Sequence, residues 1–135
     1  MTVEDTRPRT GHTMTPTHYD MTKHRLSPDS LASLPAAIQR PAYDRLATRI
    51  GVVHLGVGAF HRAHQAVYID DMLTHDPAWA ICGVSLNSRD VRDALVPQDG
   101  LYTLALLGET PRLRVIGSLR EILAARGDGG RVLAR

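Results

Sequence analysis

A chain of 135 residues, 43% of them hydrophobic, has room for one modest domain, and a net charge of +2 is too small to imply a nucleic-acid partner. The basic residues of the first third (Arg7, Arg9, Lys23, Arg25, Arg40, Arg45 and Arg49) form no stripe and have no interleaved aromatics, so they read as a solvated surface. The single cysteine, Cys82, excludes an internal disulfide and a cysteine zinc cluster; no apolar run approaches the roughly 20 residues of a membrane-spanning helix, and no signal-peptide core opens the chain. A cytoplasmic protein without a membrane partner is the expectation.

Residues 1–25 are polar and show neither a helical nor a strand period, which reads as a disordered leader. Ser27-Pro28-Asp29-Ser30 then signals a short helix: Ser27 can cap, Pro28 suits the first helical position, and Asp29 favours the positive end of the dipole. Val52, Val53 and Leu55 form a strand expected to be buried on both faces. The strand breaks at Gly56 and Gly58, which leave no side chain in the way of a ligand. A helix from Gly58 to Leu73 follows, with Ala63, Ala66, Val67 and Met72 or Leu73 at helical spacing on one face. Its first amides would suit a phosphate lying over the glycines. Gly-x-Gly alone is a weak signal. The full dinucleotide fingerprint has a third glycine where this chain has His61, and an ordinary strand–turn–helix junction fits the same spacing. Small Ala63 is the candidate for close helix–strand approach.

Pro77 ends the helix, and Trp79 to Leu86 reads as a second buried strand holding Cys82 as a buried thiol. Asp90 follows that strand. It could accept hydrogen bonds from an adenosine ribose, or cap the helical run beginning at Val91. Leu101–Leu107 and Arg112–Leu119 are strand-like, with a turn at Gly108-Glu109-Thr110-Pro111, and imply an elaborated sheet. Glu121–Ala125 reads as the start of a helix, interrupted by Gly127-Asp128-Gly129-Gly130. His61 and His64 stand three apart, with Asp70 and Asp71 further on, but no third converging metal ligand is dictated, so no metal is expected. His54 reads as a satisfied internal histidine, and Tyr68 and Tyr102 as structural.

The strings HLGVGAFHRAHQA (His54–Ala66), YIDDML (Tyr68–Leu73), WAICGVSLNSRD (Trp79–Asp90), LVPQDGLYTL (Leu95–Leu104) and RVIGSLREIL (Arg114–Leu123) resemble the long-chain mannitol dehydrogenase family. The resemblance runs from about Leu26 onward, and GVGAFHRAHQ is its most specific part. It implies an α/β fold: a Rossmann-like dinucleotide-binding domain over 26–135, incomplete at its C-terminus, with the substrate domain absent. It implies NAD as cofactor, held by Gly56, Val57, Gly58, Ala59, Phe60, His61 and Arg62, with His64 in support. It favours the ribose role for Asp90. Many relatives carry arginine where this chain has Asn87, a departure that leans towards NAD over NADP.

The activity implied is hydride transfer between D-mannitol and D-fructose, with a fructuronate or tagaturonate reductase as the alternative within the family. The partner is then a small polyol or keto-sugar, and oligomeric state is not readable. The family's lysine base would lie downstream, and the one lysine here, Lys23, is in the leader. No catalytic residue is therefore assigned. A truncated, non-catalytic nucleotide-binding module is the competing reading, and the 135-residue chain alone is expected to be marginally stable and inactive.

Overall fold

The computed structural model describes residues 25–134. Apart from Arg25, the expected leader lies outside the described residues, and so does Lys23. The Ser27 turn forms as expected, although as a 3-10 turn over Asp29–Ser33: Ser30 N donates to Ser27 Oγ at 3.1 Å, and Ser27 N to Ser30 Oγ at 2.8 Å.

Strand β2 (Ala80–Ser85) is buried at every position, Cys82 included. It pairs in parallel with β1 (Ile50–Leu55) on one side, Val53 opposite Cys82 and Leu55 opposite Val84. On its other side it pairs in parallel with β5 (Leu119–Ala124), Gly83 opposite Ile122 and Ser85 opposite Ala124. The sheet order is β1-β2-β5. Two expectations change here. Glu121–Ala124 is strand, not helix, because Ile122, Leu123 and Ala124 fill the buried slot beside β2. And β1 is not buried on both faces: Val53 and Leu55 are 40% and 61% exposed, while Val52 and His54 turn inward. Among the described residues β1 is an edge strand covered on one face only, which restores the period-two alternation.

The expected single helix from Gly58 to Leu73 is two, α1 (Ala59–Ala63) and α2 (Gln65–Met72). His64 sits between them at φ −126°, ψ −82°. Its ring Nδ1 lies 2.9 Å from the Phe60 carbonyl oxygen and takes the acceptor that an unbroken helix would give to its own backbone amide. That amide donates instead to His61 O at 3.3 Å. Ala66, not Ala63, makes the close approach to the sheet: Ala66 is fully buried, and Ser118 Oγ donates to its carbonyl at 2.7 Å. Ala63 is exposed.

Helix α3 (Asp90–Leu95) follows β2. Strands β3 (Tyr102–Leu106) and β4 (Arg112–Ile116) form the expected hairpin, but as a separate antiparallel pair rather than as part of the parallel sheet. The run expected to continue to Leu119 splits at Gly117-Ser118, so that Leu119 opens β5. After β5 the chain bends through non-helical angles at Arg126–Asp128 inside the last helical segment, α4 (Ala125–Leu133). Val57, Ala66, Ile81, Leu95, Ile116, Leu119 and Ile122 meet in one apolar core.

Polar clamps join the hairpin to the first half. Asp70, buried on α2, accepts from Tyr43 Oη (2.6 Å), Arg114 Nη2 (2.8 Å) and Gly117 N (2.9 Å). Burial first, then the Asp70 carboxylate, push the Tyr43 phenol well above its ordinary range. Arg45 is likewise buried, not a solvated surface residue. Its Nε donates to Gly117 O at 3.2 Å and its Nη1 to Asp99 Oδ2 at 2.8 Å. Arg40 is also engaged, donating to Leu34 O at 3.0 Å.

Candidate functional site

The site is built where β1 ends. Gly56 N donates to Val84 O at 2.8 Å, one residue past the strand, and then turns the chain at φ +95°. Val57 sends its side chain down into the core against Gly83. Gly58 (φ −75°, ψ 176°) leads into α1. A Cβ built on Gly56 or on Gly58 meets nothing within 4 Å, so the space over the turn is open. The first-turn amides of α1 have no acceptor within the helix. With five residues, α1 offers these local donors rather than a long helix dipole.

The sequence-predicted residues divide by direction. Gly56 and Gly58 line the open turn, and Ala59 and Phe60 are exposed on the first turn of α1, Phe60 by 78%. Phe60 stacks on His64 at a ring-centroid distance of 4.2 Å. Val57 and His61 point inward. The His61 ring stacks on His54 at 3.7 Å and faces Gln65 Oε1 with Nδ1 at 3.2 Å. Burial, then His54, then Arg62 hold the His61 imidazole below its ordinary range, against the Gln65 hydrogen bond. His54 is not the satisfied histidine expected: its Nδ1 is buried without a hydrogen-bond partner among the described residues. Arg62 is a brace. Its Nη1 donates to Val57 O at 2.7 Å, tying α1 back to the turn, and Tyr102 Oη donates to its carbonyl at 2.6 Å, so the hairpin holds the last turn of α1. The structural reading of Tyr102 gains a definite contact that nothing in the local sequence signalled.

Asp90 opens α3, exposed, and its side chain caps no amide of that helix. It borders a cavity of about 330 Å³ together with Arg62, Ala94, Leu95, Tyr102 and Thr103. Asn87 lies on the other side of the same loop, in a cavity of about 250 Å³ at the carboxyl ends of β2 and β5. Among the described residues no group of three or more His, Cys, Asp or Glu is placed to hold a metal ion, and no helix is long and apolar enough to cross a membrane.

Parallel strands in the order β1-β2-β5, with an open Gly-x-Gly turn carrying the first strand into a helix at their carboxyl edge, define a Rossmann-type dinucleotide-binding domain. The chain belongs to the mannitol dehydrogenase family: residues 50–132 match the family described as the mannitol dehydrogenase Rossmann domain. It is similar to polyol:NADP oxidoreductase of Gluconobacter oxydans, 41% identical over 111 residues, covering 78% of this chain and 23% of that protein. It is also similar to mannitol 2-dehydrogenase of Pyricularia oryzae, 41% identical over 122 residues, covering 82% of this chain and 24% of the relative. Among solved structures, Pseudomonas fluorescens mannitol 2-dehydrogenase in ternary complex with NAD and D-mannitol superposes with a TM-score of 0.75 at 43% identity, over 80% of this chain and 23% of that one. The chain thus spans about a quarter of the length of the relatives it matches.

Proposed function

We propose that residues 26–135 are the cofactor-binding part of an NAD-dependent oxidoreductase that interconverts D-mannitol and D-fructose by hydride transfer. The observation that carries the reading is the open turn at Gly56 and Gly58, at the end of β1, in a chain of this family. When bound, the nicotinamide cofactor supplies the hydride chemistry. The residues of this chain bind and orient. Gly56, Gly58 and the first-turn amides from Ala59 and Phe60 receive the pyrophosphate. Val57, His61 and Arg62 hold that turn from beneath. Asp90, facing the cavity it shares with Arg62, accepts from the adenosine ribose hydroxyls. The catalytic base is assigned to no described residue, and the chain alone binds NAD without oxidising mannitol.

Gly58→Val tests the reading. The added side chain points into open space, so the fold tolerates it, while NAD affinity falls more than tenfold in a calorimetric titration. An unchanged dissociation constant with an unchanged circular dichroism spectrum would sink the proposal. Asp90→Ala tests the ribose assignment: loss of one charge-assisted pair of hydrogen bonds should weaken NAD by roughly ten- to a hundredfold. Measurable mannitol-dependent NADH production by the 135-residue chain would refute the non-catalytic half.

A second substrate reading, reduction of a hexuronate such as fructuronate or tagaturonate, rests on the similarity to D-mannonate oxidoreductase of Escherichia coli, 44% identical over 103 residues. Turnover of each substrate by a protein carrying this domain decides between the two.

A further inference from the structure

We propose that Arg45 and Arg120 form the floor of a second binding site, at the amino end of β5, which takes a small carboxylic acid with an apolar body. The site is independent of the dinucleotide reading. Strands β1, β2 and β5 run parallel, so Arg120, the second residue of β5, stands at the end of the sheet opposite the turn at Gly56 and Gly58. The charge there is uneven. Asp99 holds two guanidiniums on one oxygen: Arg45 Nη1 donates to its Oδ2 at 2.8 Å and Arg120 Nη1 to the same atom at 3.0 Å. Burial first, then Arg120, hold the Arg45 guanidinium below its ordinary range, against the pull of Asp99. Arg45 is buried and spends its other nitrogens on the carbonyls of Gly117 and Asp99. The Arg120 side chain makes no other hydrogen bond or ion pair among the described residues, which leaves most of its N–H groups unspent.

Shape supplies the second half of the argument. The two arginines and Asp99 border a cavity of about 230 Å³ whose other walls include Pro28, Leu31, Pro41 and Leu46. Those four are apolar, and the hydroxyl of Tyr43, which also borders the cavity, is spent on Asp70 at 2.6 Å. Asp44 is the other acid at the cavity. It is exposed and accepts from Leu46 N at 2.9 Å, so water and an amide already serve it. Behind the Leu31 wall, Arg40 donates to the Leu31 and Leu34 carbonyls and to no carboxylate among the described residues, which adds positive charge on that side. Apolar walls over a basic floor select one class of ligand. A cation meets guanidiniums, a neutral hydrocarbon leaves the Arg120 donors unpaired, and a bare phosphate leaves the walls uncovered. An acid with an aromatic or branched aliphatic body covers the walls and sets its carboxylate on the guanidinium fork. The volume suits a single ring, since an apolar cavity of roughly 150 Å³ already admits benzene.

The experiment is a calorimetric titration of the 135-residue chain with benzoate, with benzamide as its uncharged counterpart, and with inorganic phosphate, repeated on Arg120→Gln, Arg120→Lys and Leu31→Ala. Benzoate should bind saturably, and roughly tenfold or more tightly than either benzamide or phosphate. Arg120→Gln should weaken benzoate by about the same factor, and Arg120→Lys should recover part of it. Asp99 keeps Arg45 as a partner in both variants, so the fold tolerates them, and an unchanged circular dichroism spectrum checks this. Leu31→Ala removes apolar wall and leaves the charges alone, so it should weaken benzoate severalfold without the loss of charge, and it keeps the test open if the Arg120 variants do not fold. Benzoate and benzamide binding alike, or benzoate unmoved by Arg120→Gln, overturns the basic floor and with it the inference. Phosphate binding as tightly as benzoate, with both indifferent to Leu31→Ala, overturns it in favour of a plain anion site. Failure of benzoate to bind overturns it outright, and none of these outcomes touches the cofactor turn.

Discussion

Two glycine-centred regions of this molecule are built to opposite rules. At the end of β1, Gly56 and Gly58 stand in open space, and the first-turn amides of α1 have no acceptor within that helix. At the junction of the hairpin with the sheet, Gly100 (φ +75°) presses against backbone, and a Cβ there would lie 2.1 Å from the Leu119 carbonyl oxygen. Around that junction charged and polar groups are paired: Arg45 and Arg120 to Asp99, and Tyr43, Arg114 and Gly117 to Asp70. The closed region secures the fold with paired charges, so the turn at β1 can leave its donors unsatisfied for a ligand. The arrangement makes stability and binding separable by mutation.

The largest effect expected is on the closed side. Asp70→Ala strips three donors at once and leaves the Arg114 guanidinium short of its buried partner, although Asp71 Oδ1, 2.6 Å away, retains one ion pair. Removing one member of a buried pair costs about 3–5 kcal/mol. Urea denaturation should show that loss. A change below about 1 kcal/mol would mean that Asp70 is dispensable and the comparison false.

The glycines sharpen the contrast at smaller scale. Gly100→Ala puts a side chain where the backbone is left-handed and the Leu119 carbonyl is too close. The conformation alone costs about 1–2 kcal/mol, before the clash. Gly58→Ala has neither problem and should change stability by less than about 0.5 kcal/mol. Equal denaturation midpoints for the two variants would break the distinction between the regions.

What the sequence disclosed follows the same division. The turn was legible because its signal is local: a strand, two glycines and a helix within a dozen residues. The central strand β2 was legible from one uninterrupted apolar run. Strand β5 was not, because Leu119-Arg120-Glu121-Ile122-Leu123-Ala124 is made largely of good helix formers, and only the slot beside β2, far away in sequence, makes it a strand. Asp70 entered the sequence reading only as one of two acids beyond His61 and His64. Its partners lie 27, 44 and 47 residues away, beyond any spacing argument. The break at His64 turns on a ring nitrogen finding the Phe60 carbonyl, which periodicity does not register. Arg89 and Asp90 are neighbours in sequence yet border different cavities, and adjacency carries no information on that.

The smallest effect expected concerns His61, a titratable side chain buried beside the open turn. His61 stacks on His54 with Arg62 nearby, and both disfavour its protonated form, as burial does. Its folded pKa therefore lies below the unfolded value of about 6.5. As the pH falls past 6.5 the unfolded chain takes up a proton that the folded chain refuses, so stability is full above that value and is lost on acidification towards the lowered folded pKa. Phenylalanine at this position keeps a ring to stack on His54 and removes the proton site. Urea midpoints at about pH 7.5 and about pH 5.5 should show His61→Phe losing less stability on acidification than the parent chain. The comparison is between slopes, so any constant cost of the substitution cancels. Parallel slopes would place the acid sensitivity elsewhere and leave His61 as packing beneath the turn.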